Sequence, residues 1–312
     1  MEKLPLRRGI FMKIATTTSD FSLYSNSVPE IIEYIAEAGF KYVDYGFGSD
    51  YANGIGIFSE DMDAYINGLL KKAKSLGLTF VQSHAPMGRP IVQGEDYLPF
   101  IEANKRCIEA CAKMGIDCVV IHTGYAEGLS KEQCFEENKK FFDALIPTAE
   151  ACGVYILIEN FNKMCVSGLY WIDNATDLAA LAEYIDSPWV KCCYDIGHAN
   201  LQDMPQRDEL KILGDRVHAL HVQDNCGDDD YHLAPFFGTT NFDDVMAGLI
   251  DIGFKGYFTF EACAIFSNPS RRRPFEGEDR LKRAPLDLRI KAEALIYEIG
   301  KTILSAYDMF EE

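Results

Sequence analysis

The chain has 312 residues and carries 30 Lys and Arg against 48 Asp and Glu, a formal net charge of −18. Such an excess of acid disfavours general nucleic-acid binding, whose affinity comes mostly from cations that neutralise phosphates. With 48% hydrophobic and 25% charged residues the chain reads as an ordinary globular protein, neither disordered nor collagen-like, and no run approaches the roughly 20 apolar residues of a membrane span.

Arg7 and Arg8 precede an apolar stretch that is broken by Lys13 and turns polar at Thr16, unlike a secretory signal. The ten cysteines contain no C-x-x-C pair. Reduced, mostly buried thiols and a cytoplasmic location are therefore expected. Ser27 to Glu30 reads as a capping box with Pro29 in the first turn, and opens a helix that runs towards Gly39. Gly39, Gly77, Gly115 and Gly153 then recur at intervals of 38 residues. Each follows a helix-like stretch and precedes a strand-like run: FKYVDYGF, LTFVQSHA, IDCVVIHT and VYILIENF. Glycine is favoured just past a helix end because it enters the left-handed region at little cost. Ser130 to Gln133 reads as a second capping box. A fixed period of this size signals repeated supersecondary units.

Less regular runs follow: VKCCYDIGH from Val190, VHALHVQD from Val217 and YFTFEAC from Tyr257, then a last helix from about Leu286 to Asp308. Strands are thus predicted at about 10–17, 41–47, 78–84, 117–122, 154–160, 190–196, 217–223 and 256–262. Eight alternating β and α units predict an α/β fold, a (β/α)8 TIM barrel with its helices outside, as a single domain over residues 1–312. A doubly wound open sheet is the alternative. Residues 267–283, with Arg271, Arg272 and Arg273, read as a long loop over the strand ends.

Barrel strands should be nearly all apolar, yet polar chemistry collects at one end of them. His84 closes the third strand, His122 the fourth, Glu159 the fifth and Asp195 the sixth, with His198 just beyond. His221 lies near the end of the seventh and Glu261 ends the eighth. Barrel enzymes build their active sites at this C-terminal mouth. Three ionised carboxylates converging in a semi-enclosed pocket are costly unless paired or bound to a cation, and a divalent metal meets that need. Alternation along the seventh strand puts Val217, Ala219, His221 and Gln223 on one face and His218 on the other. The acidic run from Asp224 to Asp230 lacks the glycine and glutamate of an EF-hand loop, with Pro235 at the glutamate position. It reads as a loop that carries Asp230 and His232 to the mouth. Arg271 to Arg273 read as a solvated basic run, and Trp171 and Trp189 as packing residues. No P-loop, G-x-G-x-x-G or G-x-S-x-G motif stands in a supporting context.

IENF around Glu159, YDIGHAN around Asp195 and His198, HVQDN after His221, Asp230-Tyr-His232, and FTFEA around Glu261 resemble the sugar phosphate isomerase/epimerase superfamily. This group of xylose-isomerase-like barrels includes ketose 3-epimerases and type IV endonucleases. The resemblance implies a metal ion held by Glu159, Asp195, His221 and Glu261, with His198 touching substrate, as in the epimerase branch. That branch's arginine six residues after the metal histidine is unmatched, because Gly227 stands there. The endonuclease branch holds three zinc ions. Its larger ligand set is matched by His84, His122, Glu159, Asp195, His198, His221, Asp230, His232 and Glu261.

The activity expected is isomerisation or epimerisation of a sugar or sugar-like ketone through an enediolate, with Glu159 and Glu261 as acid and base. His84, His122, His198, Asp230 and His232 would hold substrate. Mn²⁺ is the expected ion because the ligand set is hard and oxygen-rich, with Zn²⁺, Co²⁺ or Mg²⁺ as alternatives. The other readings are a lyase that cleaves a keto-glycoside, a three-zinc phosphodiesterase, and a non-catalytic binding barrel. The expected partner is a small sugar or sugar derivative; no membrane or nucleic-acid partner is expected, and self-association into a homo-oligomer is left open.

Overall fold

Valine, isoleucine, phenylalanine and cysteine fill the eight runs, and each run becomes a strand in the structure, a computed structural model. It describes residues 9–88, 91, 95–126, 128–162, 172–266 and 283–312. The strands are β1 (Lys13–Thr17), β2 (Tyr42–Gly46), β3 (Thr79–His84), β4 (Cys118–Val120), β5 (Tyr155–Glu159), β6 (Val190–Asp195), β7 (Val217–His221) and β8 (Tyr257–Phe260). They form one sheet in the order β7-β6-β5-β4-β3-β2-β1-β8, and β1 pairs in parallel with both β2 and β8. β7 and β8 meet through a parallel bridge between Val222 and Phe260. There the Val222 N–H donates to the Thr259 carbonyl at 2.8 Å and the Glu261 N–H to the Val222 carbonyl at 3.1 Å. The result is a nearly closed parallel barrel, not an open doubly wound sheet.

The helices are α1 (Val28–Glu37), α2 (Gly48–Asn53), α3 (Met62–Leu76), α4 (Tyr97–Met114), α5 (Lys131–Cys152), α6 (Ala175–Ile185), α7 (Ile196–Asn200), α8 (Gln206–Leu213), α9 (Phe242–Ile252) and α10 (Leu286–Ala306). α2 and α7 are short pieces at strand ends; the longer ones wrap the barrel. No described helix is long and apolar enough to cross a membrane. α3, α4 and α5 stop at Gly77, Gly115 and Gly153, whose φ values of 73°, 76° and 67° are left-handed. The repeat of 38 residues is thus a repeat of helix stops.

The capping box at Ser130 forms, with both reciprocal bonds to Gln133 present. The one expected at Ser27 does not. Ser27 caps α1 without a side-chain bond. The Ser25 hydroxyl donates instead to Glu30 Oε2 at 2.6 Å and accepts from the Ser27 N–H at 2.9 Å, so it takes the carboxylate that the box needed.

Between barrel and helices lies the main apolar layer, which includes Ile14, Val43, Ile158 and Phe258. The barrel interior holds a smaller cluster of Cys118, Val120, Leu157, Cys193 and Ala219. Across it, Thr259 Oγ1 donates to Gln82 Oε1 at 3.1 Å, and Gln82 Nε2 approaches Asp44 Oδ2 at 3.4 Å. His218 faces away from the mouth, with Nε2 3.5 Å from Asp117 Oδ2. Trp189 packs on Tyr155 with ring centroids 5.5 Å apart. The described cysteines are free thiols, with Cys226 and Cys263 exposed. Trp171, Arg271 to Arg273 and the rest of the expected loop up to 282 lie outside the described residues.

Candidate active site

β5, β6, β7 and β3 end on Glu159, Asp195, His221 and His84, and Glu261 follows β8 directly. β4 stops at Val120, so His122 sits just past the ladder, on the loop. The spacing of Asp195 and His198 has a local cause. Asp195 caps α7, and its Oδ1 accepts from the His198 N–H at 2.6 Å. The Asn160 amide pairs with the Asp195 main chain on both sides, at 2.9 Å each. The Asn160 main-chain carbonyl accepts from His198 Nδ1 at 2.9 Å. Gly197 is bare because a Cβ there would fall 2.1 Å from the Gln223 side chain. Gln223 Nε2 passes that point to donate to Asp195 Oδ1 at 3.2 Å and Asp230 Oδ1 at 2.8 Å.

The acidic loop after β7 is organised by Asp224. Its carboxylate accepts from the main-chain N–H groups of Asn225, Gly238 and Thr240 at 2.8, 2.9 and 3.0 Å. The loop returns Asp230 and His232 to the mouth. Asp230 Oδ2 lies 3.2 Å from His198 Nε2 and 3.2 Å from His232 Nε2. His232 Nδ1 donates to the Glu261 carbonyl at 2.9 Å.

Glu159 is the hub. Its Oε1 is 2.7 Å from His221 Nδ1 and 3.8 Å from His198 Nδ1. Its Oε2 is 2.8 Å from His122 Nε2 and 3.7 Å from His84 Nε2. The other nitrogen of His221, Nε2, is 3.7 Å from Glu261 Oε1 and 3.7 Å from Asp44 Oδ2. All nine side chains named from the sequence therefore belong to one connected cluster. A cavity of about 410 Å³ opens onto it, walled by His84, Glu159, Phe161, His198, His232 and Glu261 among others. Phe161 supplies an apolar side, its ring 4.8 Å from that of His122 and 4.7 Å from that of His198.

The charges compensate one another closely. Burial would raise Glu159, but the charge of His221 and hydrogen bonds from His122, His221 and His84 hold it well below the usual carboxylate range. Burial pushes Asp195 up to about 6. Burial opposes protonation of His198, yet Asp195 and Asp230 raise it to about 9. Burial likewise works against His232, whose pKa is carried well up by Asp230.

A divalent cation fits the same residues. Nδ1 of His84, His198 and His232 each donates to a main-chain carbonyl, at 2.7, 2.9 and 2.9 Å. This leaves Nε2 directed inward, as in metal-ligating histidines held by outer partners. Among the described residues Asp195 Oδ2 and His221 Nε2 are buried without a hydrogen-bond partner, a cost of roughly 1–3 kcal/mol each if nothing binds them. Ligand atoms within 4.8 Å of one another fall into overlapping groups: Asp44, His221 and Glu261; His84, Glu159 and His221; Glu159, Asp195 and His198; His198, Asp230 and His232.

Sequence reasoning missed Asp44, Asn160 and Gln223. Alternation along FKYVDYGF puts Asp44 on the face opposite Val43 and Tyr45, a charged side chain in mid-strand, which was the available signal. Asn160 is adjacent to a motif residue, and Gln223 was seen only as a face-mate of His221.

Fold and mouth together define a (β/α)8 barrel with a carboxylate and imidazole cluster at its strand ends. The chain belongs to the xylose isomerase-like TIM barrel family, whose profile matches residues 32–280. An uncharacterised protein of Methanocaldococcus jannaschii is 29% identical over 167 residues, 52% of this chain and 56% of that protein, so the chain spans about half that relative's length. The fructoselysine 3-epimerase of Shigella flexneri is 24% identical over 265 residues, 79% of this chain and 89% of the epimerase. Among solved structures, a D-tagatose 3-epimerase-like protein superposes with a TM-score of 0.72 at 22% identity, covering 95% of this chain and 98% of the other. That likeness establishes the fold.

Proposed function

We propose that this protein is a divalent-metal-dependent epimerase or isomerase of a sugar or sugar-like ketone. The observation that carries the reading is that carboxylates at the ends of β5, β6 and β8 line one mouth around the buried His221: Glu159 lies 2.7 Å from its Nδ1 and Glu261 3.7 Å from its Nε2, and Glu159, Asp195 and His198 offer ligand atoms within 4.8 Å of one another. Glu159, Asp195, His221 and Glu261 would hold the ion, a hard set suited first to Mn²⁺ and then to Zn²⁺, Co²⁺ or Mg²⁺. Bound there, a divalent ion supplies Lewis-acid polarisation of a carbonyl and its neighbouring hydroxyl.

The side chains do the rest. One glutamate takes the carbon-bound proton, the electron pair of that C–H bond becomes the C=C of an enediolate, and the carbonyl π pair moves onto its oxygen. The other glutamate returns a proton, to the opposite face for epimerisation or to the adjacent carbon for isomerisation. His198, fixed by Asn160 and Asp230, holds a substrate oxygen; His84, His122 and His232 position hydroxyls; Phe161 keeps water from one side. Similarity to a protein named fructoselysine 3-epimerase supports epimerisation, and a net charge of −18 weighs against a nucleic-acid substrate.

The test is solvent exchange. In D₂O with Mn²⁺ the wild type should place deuterium in a ketose from a panel. Glu159→Gln and Glu261→Gln should each lose about 10²–10⁴-fold in that rate while their circular dichroism is kept. Deuterium uptake at the wild-type rate in either variant refutes the acid–base role.

One observation favours a second reading, a three-zinc phosphodiesterase. The imidazoles occur in separate groups, around Glu159 and around Asp230, enough for more than one ion. Metal content decides: about three zinc ions per chain supports that reading, and one manganese-like ion supports the sugar chemistry.

A further inference from the structure

The end of the barrel opposite the mouth carries a second set of metal-ligating side chains. β6 pairs Cys192 with Val217 but Cys193 with Ala219, which leaves His218 as an extra residue on β7. Such a bulge bends the strand and re-aims a side chain. His218 and Ala219, which strict alternation would put on opposite faces, both border a cavity of about 440 Å³ at the barrel floor. Asp117 and Cys118, where β4 begins, border it too. Asp117, Cys118 and His218 each offer one ligand atom, and the three atoms lie within 4.8 Å of one another. His218 Nε2 is 3.5 Å from Asp117 Oδ2, close to the edge of about 3.3 Å in a tetrahedron whose bonds are about 2.0 Å. Cys118 is buried with Val120, Leu157, Cys193 and Ala219 in the barrel interior, whereas solvent reaches Asp117 and His218, so an ion would enter from their side.

The donor types select the ion. One thiolate and one carboxylate beside a neutral imidazole balance a divalent charge. A sulfur ligand with an imidazole suits zinc, not the hard ions that suit the mouth. Hydrogen bonds from His218 first, and then from Cys118, hold the Asp117 carboxyl below its ordinary range, so it is ionised before any ion arrives. Burial, and then the charge of Asp117, push the Cys118 thiol well up, so without a cation it is neither a nucleophile nor a base. A coordinated ion deprotonates such a thiol outright, and the proton passes to solvent. Asp215 and Lys255 line the same cavity; their charges offset one another and leave the choice to the three donors.

We infer that Asp117, Cys118 and His218 form a zinc site, with water in the fourth position, that joins the start of β4 to the start of β7 across the barrel floor. β5 and β6 stand between those strands in the sheet, so the ion is a cross-brace at the end of the barrel that serves stability and not catalysis. The site stands apart from the sugar chemistry at the mouth, and failure of either leaves the other in place.

Titration of the chelator-treated full chain with Co²⁺, in the presence of excess Mn²⁺, tests this. A thiolate ligand gives cobalt an intense near-ultraviolet charge-transfer band that oxygen and nitrogen ligands do not. The band should rise to saturation in the wild type, and Zn²⁺ should abolish it. Cys118→Ser should lose the band. His218→Ala should weaken cobalt binding at least about tenfold, and decides the matter if the serine variant does not fold, as judged by circular dichroism. Glu159→Gln, which disables the mouth, should keep the band, and so should Cys226→Ser combined with Cys263→Ser, which removes the exposed thiols. No band in the wild type, the result that a bare Asp117–His218 ion pair predicts, overturns the assignment. So does a band that survives Cys118→Ser, an unchanged affinity in His218→Ala, or a band lost with Glu159→Gln or with the exposed cysteines. Metal content measured in Cys118→Ser then counts the ions of the mouth alone.

Discussion

His221 is faced by carboxylates at the ends of β5 and β8 and in the middle of β2, and Asp44, on β2, is the one that sequence patterns did not offer. With Nδ1 beside Glu159 and Nε2 directed at Asp44 and Glu261, the imidazole has a carboxylate behind it on the side away from Glu159. Nε2 has no hydrogen-bond partner among the described residues, so an ion on it would stand beside Asp44 and Glu261, which offer ligand atoms within 4.8 Å, and the Asp44 charge would favour that ion. Asp44→Asn should therefore weaken Mn²⁺ binding by about 10–100-fold, read by calorimetric titration of chelator-treated protein, with the metal-free fold retained. Unchanged affinity would make Asp44 a packing residue only. The six side chains at or just past the strand ends were readable because an acid or imidazole recurs where one apolar run after another stops; His198 comes from α7 and Asp230 and His232 from the loop after β7. Asp44 has no counterpart in the other runs, and its meaning exists only once β2, β7 and β8 stand around one space. Gln223 is similar: its two acceptors come from β6 and from the loop after β7, and no local pattern records that pairing.

The packing of α8 on β6 contains a titrating element outside the mouth. Glu209 is buried, and its Oε2 accepts from the Tyr194 hydroxyl at 3.0 Å. Burial pushes its carboxyl from 4.5 up to about 7. An acid whose pKa is higher in the folded chain costs stability above its unfolded value. Below pH 4.5 both states are protonated and no penalty exists. As pH rises towards 7 the unfolded state loses its proton first, so stability falls; above 7 the penalty is complete, on the order of 3 kcal/mol. Glu209→Gln should thus melt higher than wild type at pH 8 and alike at pH 4. A variant no more stable at pH 8 would mean that water reaches the carboxylate. Helix starts show how far local pattern carries. Ser130→Ala should cost about 1 kcal/mol in denaturant unfolding, because its box forms. Ser27→Ala should cost less, because Ser25, two residues upstream, already holds Glu30. The two boxes look alike as sequence, and a competing neighbour separates them.

Barrel order was readable from the spacing of helix stops, since each stop hands the chain to the next strand. Closure was not, because nothing in YFTFEAC names its partner; β8 lies fully along β1 but pairs with the β7 side, among the described residues, through the single bridge of Val222 and Phe260. On the proposed reading, an ion at the mouth would tie β5, β6, β7 and β8 together. Any ligand that binds only the folded state stabilises it by mass action, about 2.7 kcal/mol at a hundredfold excess over Kd. Mn²⁺ added to chelator-treated protein should accordingly raise Tm by several degrees. A surface of charge −18 also attracts divalent cations diffusely, but at physiological ionic strength the Debye length is about 8 Å and that contribution is largely screened, whereas a buried site keeps its effect. Glu159→Gln removes the hub and should abolish the rise; Glu209→Gln, away from the mouth, should keep it. An equal rise in the Glu159 variant would show that the ion sits on the acidic surface and that the barrel mouth does not hold it.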